Sequence, residues 1–184
     1  MENNFIIAGF GGQGVLLAGE VLANAFMLDD NNVTWYPSYG AEMRGGTVNC
    51  EIVMNDREPV SSVNKSETDF IIALNQASFD RFLAKVKKGG WMIANSTLVK
   101  ELKPRADINY IFAPVTALAD KLGNVKMTNI LSLGVLAKIS KLVSLETLEK
   151  ALDVVIPPHR KHLLPLNCEA LKIGYEYNFS TVNV

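Results

Sequence analysis

Cysteine is nearly missing from this chain: Cys50 and Cys168 are the two thiols in 184 residues, far apart and with no C-x-x-C pair. An iron–sulfur cluster usually takes four cysteine ligands, so this chain cannot supply one alone. In a reducing compartment such isolated cysteines read as buried, inert thiols. Charge of one sign is also lacking, because 18 Lys and Arg stand against 19 Asp and Glu for a net −1. No long-range pull towards nucleic acid or an anionic membrane follows, and any anion site must be local. Apolar runs break well before the ~20 residues that a membrane span requires. The start Met1-Glu2-Asn3-Asn4 has no basic signal-peptide character, so a cytoplasmic protein is expected. Internal repeats and low-complexity tracts are missing too. With 48% hydrophobic and 20% charged residues, the composition is that of a soluble globular protein. The length fits a single domain over residues 1–184.

Catalytic patterns are equally scarce. No Ser or Cys sits in a nucleophile-elbow setting, and no His–carboxylate pair stands out. His159 and His162 would share a helical face, but no further His or Cys accompanies them and Arg160 and Lys161 repel a cation. A solvated basic loop is expected there, with no metal site and no catalytic residue.

What the chain does have is glycine in two places. Gly9-Phe10-Gly11-Gly12-Gln13-Gly14 follows an apolar strand, and Tyr39-Gly40-Ala41-Glu42-Met43-Arg44-Gly45-Gly46 comes one strand–helix–strand step later. The first segment turns strand into helix with little side-chain bulk, leaving backbone N–H groups and a positive helix end open to an anion or a partner's backbone. A bulky residue at Gly12 is therefore expected to obstruct close approach.

The coarse pattern alternates buried strands with helices. Strands are expected at Phe5–Ala8, Val33–Tyr36 (ending at Pro37), Thr47–Met54 (covered on one side), 70–74, 91–95 and 109–113, with a short return strand at Val60–Val63. Helices are expected over Val15–Leu28, Gln76–Lys87 ended by Gly89-Gly90, and from Pro114 to Leu122. Three more follow: a helix capped by Thr128 or Asn129 running to Val143, one capped by Ser144 running to about Val155, and a last one from Leu166 to Tyr177. The fold class this implies is α/β, three-layer, with a mostly parallel (mixed) sheet and helices on both faces. The first strand–helix–strand unit is expected to cross over right-handed.

Gly9, Gly11 and Gly14 match the G-x-G-x-x-G spacing of a dinucleotide site. The second half of that fingerprint, an acid near the end of the next strand, is absent from Trp35-Tyr36-Pro37-Ser38. An autonomous NAD(P)- or flavin-binding oxidoreductase is the alternative this loop leaves open. Glycines that let helix and strand pack tightly would explain it too. In the second segment, Arg44 can hold phosphate or carboxylate through two parallel bonds, or pair with Glu42 to stiffen the loop.

Taken together, Gly9 to Gly19, Tyr36 to Gly46, Asp69 to Leu74, Asn95-Ser96, Asn129 with Leu133-Gly134, and Asn167 to Tyr175 resemble the gamma subunit of 2-oxoacid:ferredoxin (acceptor) oxidoreductases, over nearly the whole chain. One departure is Ser61-Ser62-Val63, where the family commonly has proline after the serine pair. The resemblance implies a multisubunit enzyme that decarboxylates a 2-oxoacid on thiamine diphosphate, passes electrons through iron–sulfur clusters to ferredoxin, and forms acyl-coenzyme A. It places thiamine diphosphate and Mg with alpha and beta subunits and the clusters with beta or delta chains, leaving no cofactor in this chain. Coenzyme A is the co-substrate of the complex. It further implies that Gly9, Gly11, Gly12, Gln13, Gly14, Tyr39, Gly40, Glu42, Arg44, Gly45 and Gly46 form an edge that docks on the catalytic subunits and borders the coenzyme A approach. A docking surface left bare favours self-association of the isolated subunit as a homodimer.

Overall fold

Phe5-Ile6-Ile7-Ala8 carries no polar side chain and can sit only where both faces are covered, and it forms the heart of strand β1 (Glu2–Phe10) inside the sheet. The computed structural model describes residues 1–39, 46–60, 63, 65–103, 105–179 and 181–182. Among these, the strands β2 (Asn32–Tyr39), β3 (Thr47–Asn55), β4 (Thr68–Ala73), β5 (Val86–Asn95), β6 (Asn109–Ala113) and β7 (Thr181–Val182) complete a sheet of order β2-β3-β1-β4-β5-β6-β7. The strands β1, β4, β5 and β6 run parallel, and the β2–β3, β3–β1 and β6–β7 pairs are antiparallel. The sheet is thus mixed around a parallel centre.

Strand alternation divides the core in two. Phe5, Ile7, Ile72, Ile93 and Ile111 point to one face. There they meet α1 (Val15–Leu28), α4 (Thr128–Ser140), α5 (Leu145–Val155) and α6 (Leu164–Glu176), with α3 (Val115–Lys121) alongside. Ile6, Ala8, Ile71, Ala73, Met92 and Tyr110 point the other way, against Phe79 and Phe82 of the short α2 (Gln76–Phe82). Helices therefore cover both faces, as the three-layer reading requires.

Several local expectations are corrected by tertiary context. Helix α2 stops at Phe82, a 3₁₀ turn follows at Leu83–Lys85, and β5 already begins at Val86. Arg105 pins this start by donating to the carbonyls of Leu83 and Val86, both at 2.9 Å. Gly89 and Gly90 lie inside β5: Gly89 takes φ +78°, and a side chain at Gly90 would run into the Asp69 carbonyl where β4 and β5 shift register. Strand β2 continues through Pro37, which pairs with Cys50, because β2 is an edge strand and an edge tolerates a missing N–H.

Strand β3 is not covered on one side only. It lies between β2 and β1, and Asn49 and Val53 on its second face are buried as well. Arg81 and Lys85 reach over that face, to the Thr47 hydroxyl at 3.2 Å and to Glu51 at 3.7 Å. The expected return strand at Val60–Val63 does not form at Val60 or Val63, and residues 61 and 62 lie outside the described ones.

Neither Thr128 nor Asn129 caps α4. A 3₁₀ turn at Val125–Met127 leads into the helix, and Asn124 caps that turn by accepting from the Lys126 N–H at 3.1 Å. The helix ends at Ser140, earlier than expected, with Lys141 in the left-handed region. Ser144 does cap α5, accepting from the Thr147 N–H at 3.0 Å.

Helices α4 and α6 meet backbone to backbone. A Cβ on Gly134 would collide with the Leu171 carbonyl, and one on Gly174 with the Leu131 carbonyl. Backbone cannot step aside as a side chain can, so a methyl here must push the helices apart. Gly134→Ala is expected to destabilise the fold by about 1–3 kcal/mol, the usual cost of overpacking, despite alanine's better helix propensity. Urea unfolding of the two proteins checks this, and an unchanged midpoint would refute it.

Candidate functional site

The carboxyl ends of β1, β4 and β5 meet at one rim of the sheet, the side where parallel α/β sheets bind ligands. There the first glycine segment turns β1 into α1. Gly9 still pairs with Val48, but a Cβ on it would stand 2.7 Å from Gln13 Oε1 and 2.9 Å from Val15 Cγ2. Gly14 takes φ +72° as the residue preceding α1, and a side chain there would strike the Asn129 amide. Gly12 takes φ +99° with open space around it. Any L-residue at Gly12 therefore strains the turn before it obstructs a neighbour, so bulk at this position is not a clean probe of approach.

Gln13 was expected in the binding edge, and its side chain turns inward. Its Oε1 accepts from the Phe10 N–H at 2.7 Å and from Asn75 Nδ2 at 3.0 Å, and its Nε2 donates to the Leu74 carbonyl at 3.5 Å. Asn75 in turn caps α2, accepting from the Ser78 N–H at 2.9 Å. Buried Asn95 donates to the same Leu74 carbonyl at 3.0 Å and to Thr116 Oγ1 at 2.8 Å. Asn129 Nδ2 donates to the Gly14 carbonyl at 2.9 Å. A continuous amide network thus ties the glycine turn to three strand ends and to α4. Asn75 and Thr116 belong to no motif, and the asparagines at the ends of β4 and β5 (Asn75 and Asn95) are a signal shared with ordinary turns.

The second glycine segment returns to the same corner. Val48 pairs with both Gly9 and Tyr39, and the Gly11 N–H donates to the Gly46 carbonyl at 3.2 Å. Both described ends of the segment therefore emerge beside the first turn. Gly40, Glu42, Arg44 and Gly45 lie outside the described residues.

Two concavities flank the turn. On the β3 side, an apolar groove of about 550 Å³ is lined by Phe10, Gly11, Gly12, Leu16, Leu17 and Val48. Phe10 and Leu17, 38% and 36% exposed, bring two large apolar side chains to this groove. On the α4 side, a cavity of about 240 Å³ is lined by Gly12, Gly14, Met127 and Asn129, with Lys126 and Arg160 also in its wall.

Neither thiol is poised for chemistry. Burial pushes the Cys50 thiol up to about 12, and burial also raises Cys168. His159 and His162 sit exposed in a 3₁₀ turn at Pro158–Leu163. Among the described residues no group of three or more His, Cys, Asp or Glu could hold a metal ion. No helix among them is long and apolar enough to cross a membrane.

Residues 4–177 match the family model described as pyruvate ferredoxin/flavodoxin oxidoreductase. The chain is 34% identical over 183 residues to the 2-oxoglutarate synthase subunit KorC of Methanocaldococcus jannaschii, covering 96% of this chain and 94% of the relative. The crystal structure of a keto/oxoacid ferredoxin oxidoreductase gamma subunit from Geobacter sulfurreducens superposes with a TM-score of 0.83 at 29% identity, over 96% of this chain and 95% of that one. A 2-oxoglutarate:ferredoxin oxidoreductase from Magnetococcus marinus, solved with 2-oxoglutarate, coenzyme A and succinyl-CoA bound, shares the fold with a TM-score of 0.84 at 20% identity. The match covers 94% of this chain and 30% of that longer one.

Gln13→Ala removes the acceptor of the Phe10 N–H and the Asn75 amide together. A loss of about 1 kcal/mol in unfolding free energy is expected, since buried Asn75 loses an acceptor while Phe10 lies at an exposed position. Chemical denaturation measures it, and unaltered stability would return Gln13 to the list of free ligand-binding groups.

Proposed function

The chain belongs to the pyruvate ferredoxin/flavodoxin oxidoreductase family as a gamma-type subunit, and from that premise we propose that its glycine corner seats the catalytic subunits and borders the approach of coenzyme A. The carrying observation is the pairing of an open main-chain turn with half-exposed Phe10 and Leu17 at the point where both glycine segments emerge. Apolar anchors beside bare backbone favour a polypeptide partner, since the anchors supply burial and the backbone supplies hydrogen bonds. A relative in which the matching fold is 30% of a longer chain fits the same reading, with neighbour domains held covalently where this chain would use contacts.

The overall reaction of the family oxidises a 2-oxoacid to acyl-coenzyme A with loss of carbon dioxide and passes electrons to ferredoxin. The residues here do not fit the cofactors of that reaction. Two thiols, one of them buried and held neutral, cannot replace four cluster ligands, and among the described residues no group of three or more His, Cys, Asp or Glu could hold a metal ion. We therefore assign thiamine diphosphate, Mg and the clusters to the alpha, beta and, where present, delta subunits, with ferredoxin as the acceptor of the assembled enzyme. The co-substrate reading draws on coenzyme A bound in the Magnetococcus marinus structure and on the open α1 N-terminus at this corner.

The alternative of an autonomous nicotinamide- or flavin-binding oxidoreductase finds no support among the relatives. The sheet also argues against it. In a dinucleotide site the acid that binds the ribose ends the strand beside β1, whereas here β3 separates β2 from β1.

Two experiments test the proposal. Phe10→Asp with Leu17→Asp should abolish co-purification with the catalytic subunits while the chain remains folded, since both side chains are already partly in solvent. Normal assembly would remove the groove from the docking surface. Arg44→Ala in the assembled complex should weaken coenzyme A by about tenfold, the scale of one charge-assisted contact. Calorimetric titration reads this, and unchanged affinity with unchanged assembly would remove Arg44 from the site.

A further inference from the structure

Strand β2 ends the sheet, with β3 on one side and, among the described residues, no strand on the other. Which of its backbone groups are left over follows from parity, because the N–H and C=O of one strand residue point to the same side and successive residues alternate. The Leu74 N–H donates to the Ala8 carbonyl at 2.9 Å, so even-numbered residues of β1 address β4 and odd-numbered ones address β3. The Gly11 N–H, donating to the Gly46 carbonyl at 3.2 Å, keeps that parity. Ile7 faces Cys50, so Cys50 addresses β1 and its neighbour Glu51 addresses β2, where it meets Tyr36. Thr34, Tyr36 and Ser38 are thereby bonded to β3. Val33, Trp35, Pro37 and Tyr39 turn their backbone groups outward, and the proline sits where its missing N–H costs the sheet no bond. Natural edges are blunted by charge, bulges, proline or brevity, yet β2 runs for eight residues without a charged side chain and Pro37 removes a single donor.

We propose that a second copy of this chain pairs antiparallel with β2 about a twofold axis at Tyr36, joining two seven-stranded sheets into one. In this register Val33 and Tyr39 of opposite copies exchange both bonds, and each Trp35 N–H donates to the Pro37 carbonyl across the seam. Every outward donor is then used. An axis at Trp35 would set Tyr39 against Asn31, whose N–H already serves the Phe26 carbonyl at 3.1 Å, so that pair could not exchange both bonds. Tyr36, 57% exposed, falls on the axis as a pair without backbone bonds, where Cα atoms approach to about 4.5 Å and aromatic side chains meet. Thr34 lies opposite Ser38 on the same face, and Trp35 lies opposite Pro37 on the other. A charged strand from another protein would find no counter-charge on β2, whereas an identical strand needs none. The pairing rests on neither the coenzyme A reading nor the catalytic subunits.

Sedimentation velocity over a series of concentrations tests this on the full chain alone. The wild-type chain should dimerise, and Tyr36→Lys should weaken the dimer about tenfold or more, because like charges then face each other across the axis. Within one copy the introduced ammonium stands opposite Glu51, so the monomer keeps its fold. Phe10→Asp with Leu17→Asp, which alters the groove and not the edge, should leave the dimer intact. Disulfide capture reads the register, in a Cys168→Ser background that removes the half-buried thiol. Under mild oxidation Tyr36→Cys should give a covalent dimer, whereas Thr34→Cys, set about 13 Å from its own copy along the strands, should not. A wild-type chain that stays monomeric overturns the proposal. So does a dimer untouched by Tyr36→Lys or broken by the groove substitutions, and so does failure of capture at Tyr36 or success at Thr34.

Discussion

The turn that ends β1 closes only because Gly9 has no side chain, and most of the rim depends on that closure. With Gly9 bare, Gln13 can fold back under the strand and take the Phe10 N–H and the Asn75 amide. Asn75 is then fixed as the cap of α2, and the Leu74 carbonyl is shared between Gln13 and Asn95. Each bond is worth only about 1 kcal/mol net, but buried amides linked in series polarise one another and leave no member free to rotate. A rigid frame is what an open loop requires. The turn stays open at Gly12 while Gln13 and Asn75 behind it are paired with each other and with the backbone.

The insertion of β3 between β1 and β2 is the second constraint. It converts the opening strand–helix–strand unit into a split one and moves the end of β2 away from the ribose position of a dinucleotide fold. It also brings the two glycine segments together, because Val48 of β3 touches Gly9 on one side and Tyr39 on the other. One strand thus closes a nucleotide-type crevice and opens a corner suited to a neighbouring polypeptide.

Much of this was legible in the sequence where local physics decides. The bounds of α1 and β6 follow from apolar runs between strong breakers, and the Ser144 cap follows from side-chain chemistry within one turn. Legibility failed where a distant partner decided. Gly89-Gly90 reads as a helix stop until the Asp69 carbonyl on the next strand demands the space. Asn129 reads as a cap until Gly14, remote in sequence, claims its amide. Alternation in β3 reads as one-sided until Arg81 and Lys85 arrive from α2 and its following turn. The glycines of the candidate site were visible because backbone conformation is written in composition. The amides that hold them were not, since asparagine after a strand has no local signature that separates a turn from a tie.

The size of the groove says what else a docking surface at this corner would include. A stable protein–protein interface buries roughly 1,200–2,000 Å² in total, anchored by a few apolar side chains within a wider covered area. Phe10 and Leu17, each a little over a third exposed, can anchor such a surface but supply only a small share of it. Val48 lies in the groove wall and is buried, so the contact cannot extend inward. A turn towards α4 would cover the second cavity, whose wall Leu17 shares with Asn129 and Arg160. The remaining direction is along β3 and β2, where Gly46 and Tyr39 emerge and where Tyr36 stands 57% exposed on an edge strand with no charged residue. An uncharged edge beside apolar anchors has its unpaired backbone groups and its hydrophobic contacts on one surface, which is the combination a partner polypeptide uses and a small anion does not.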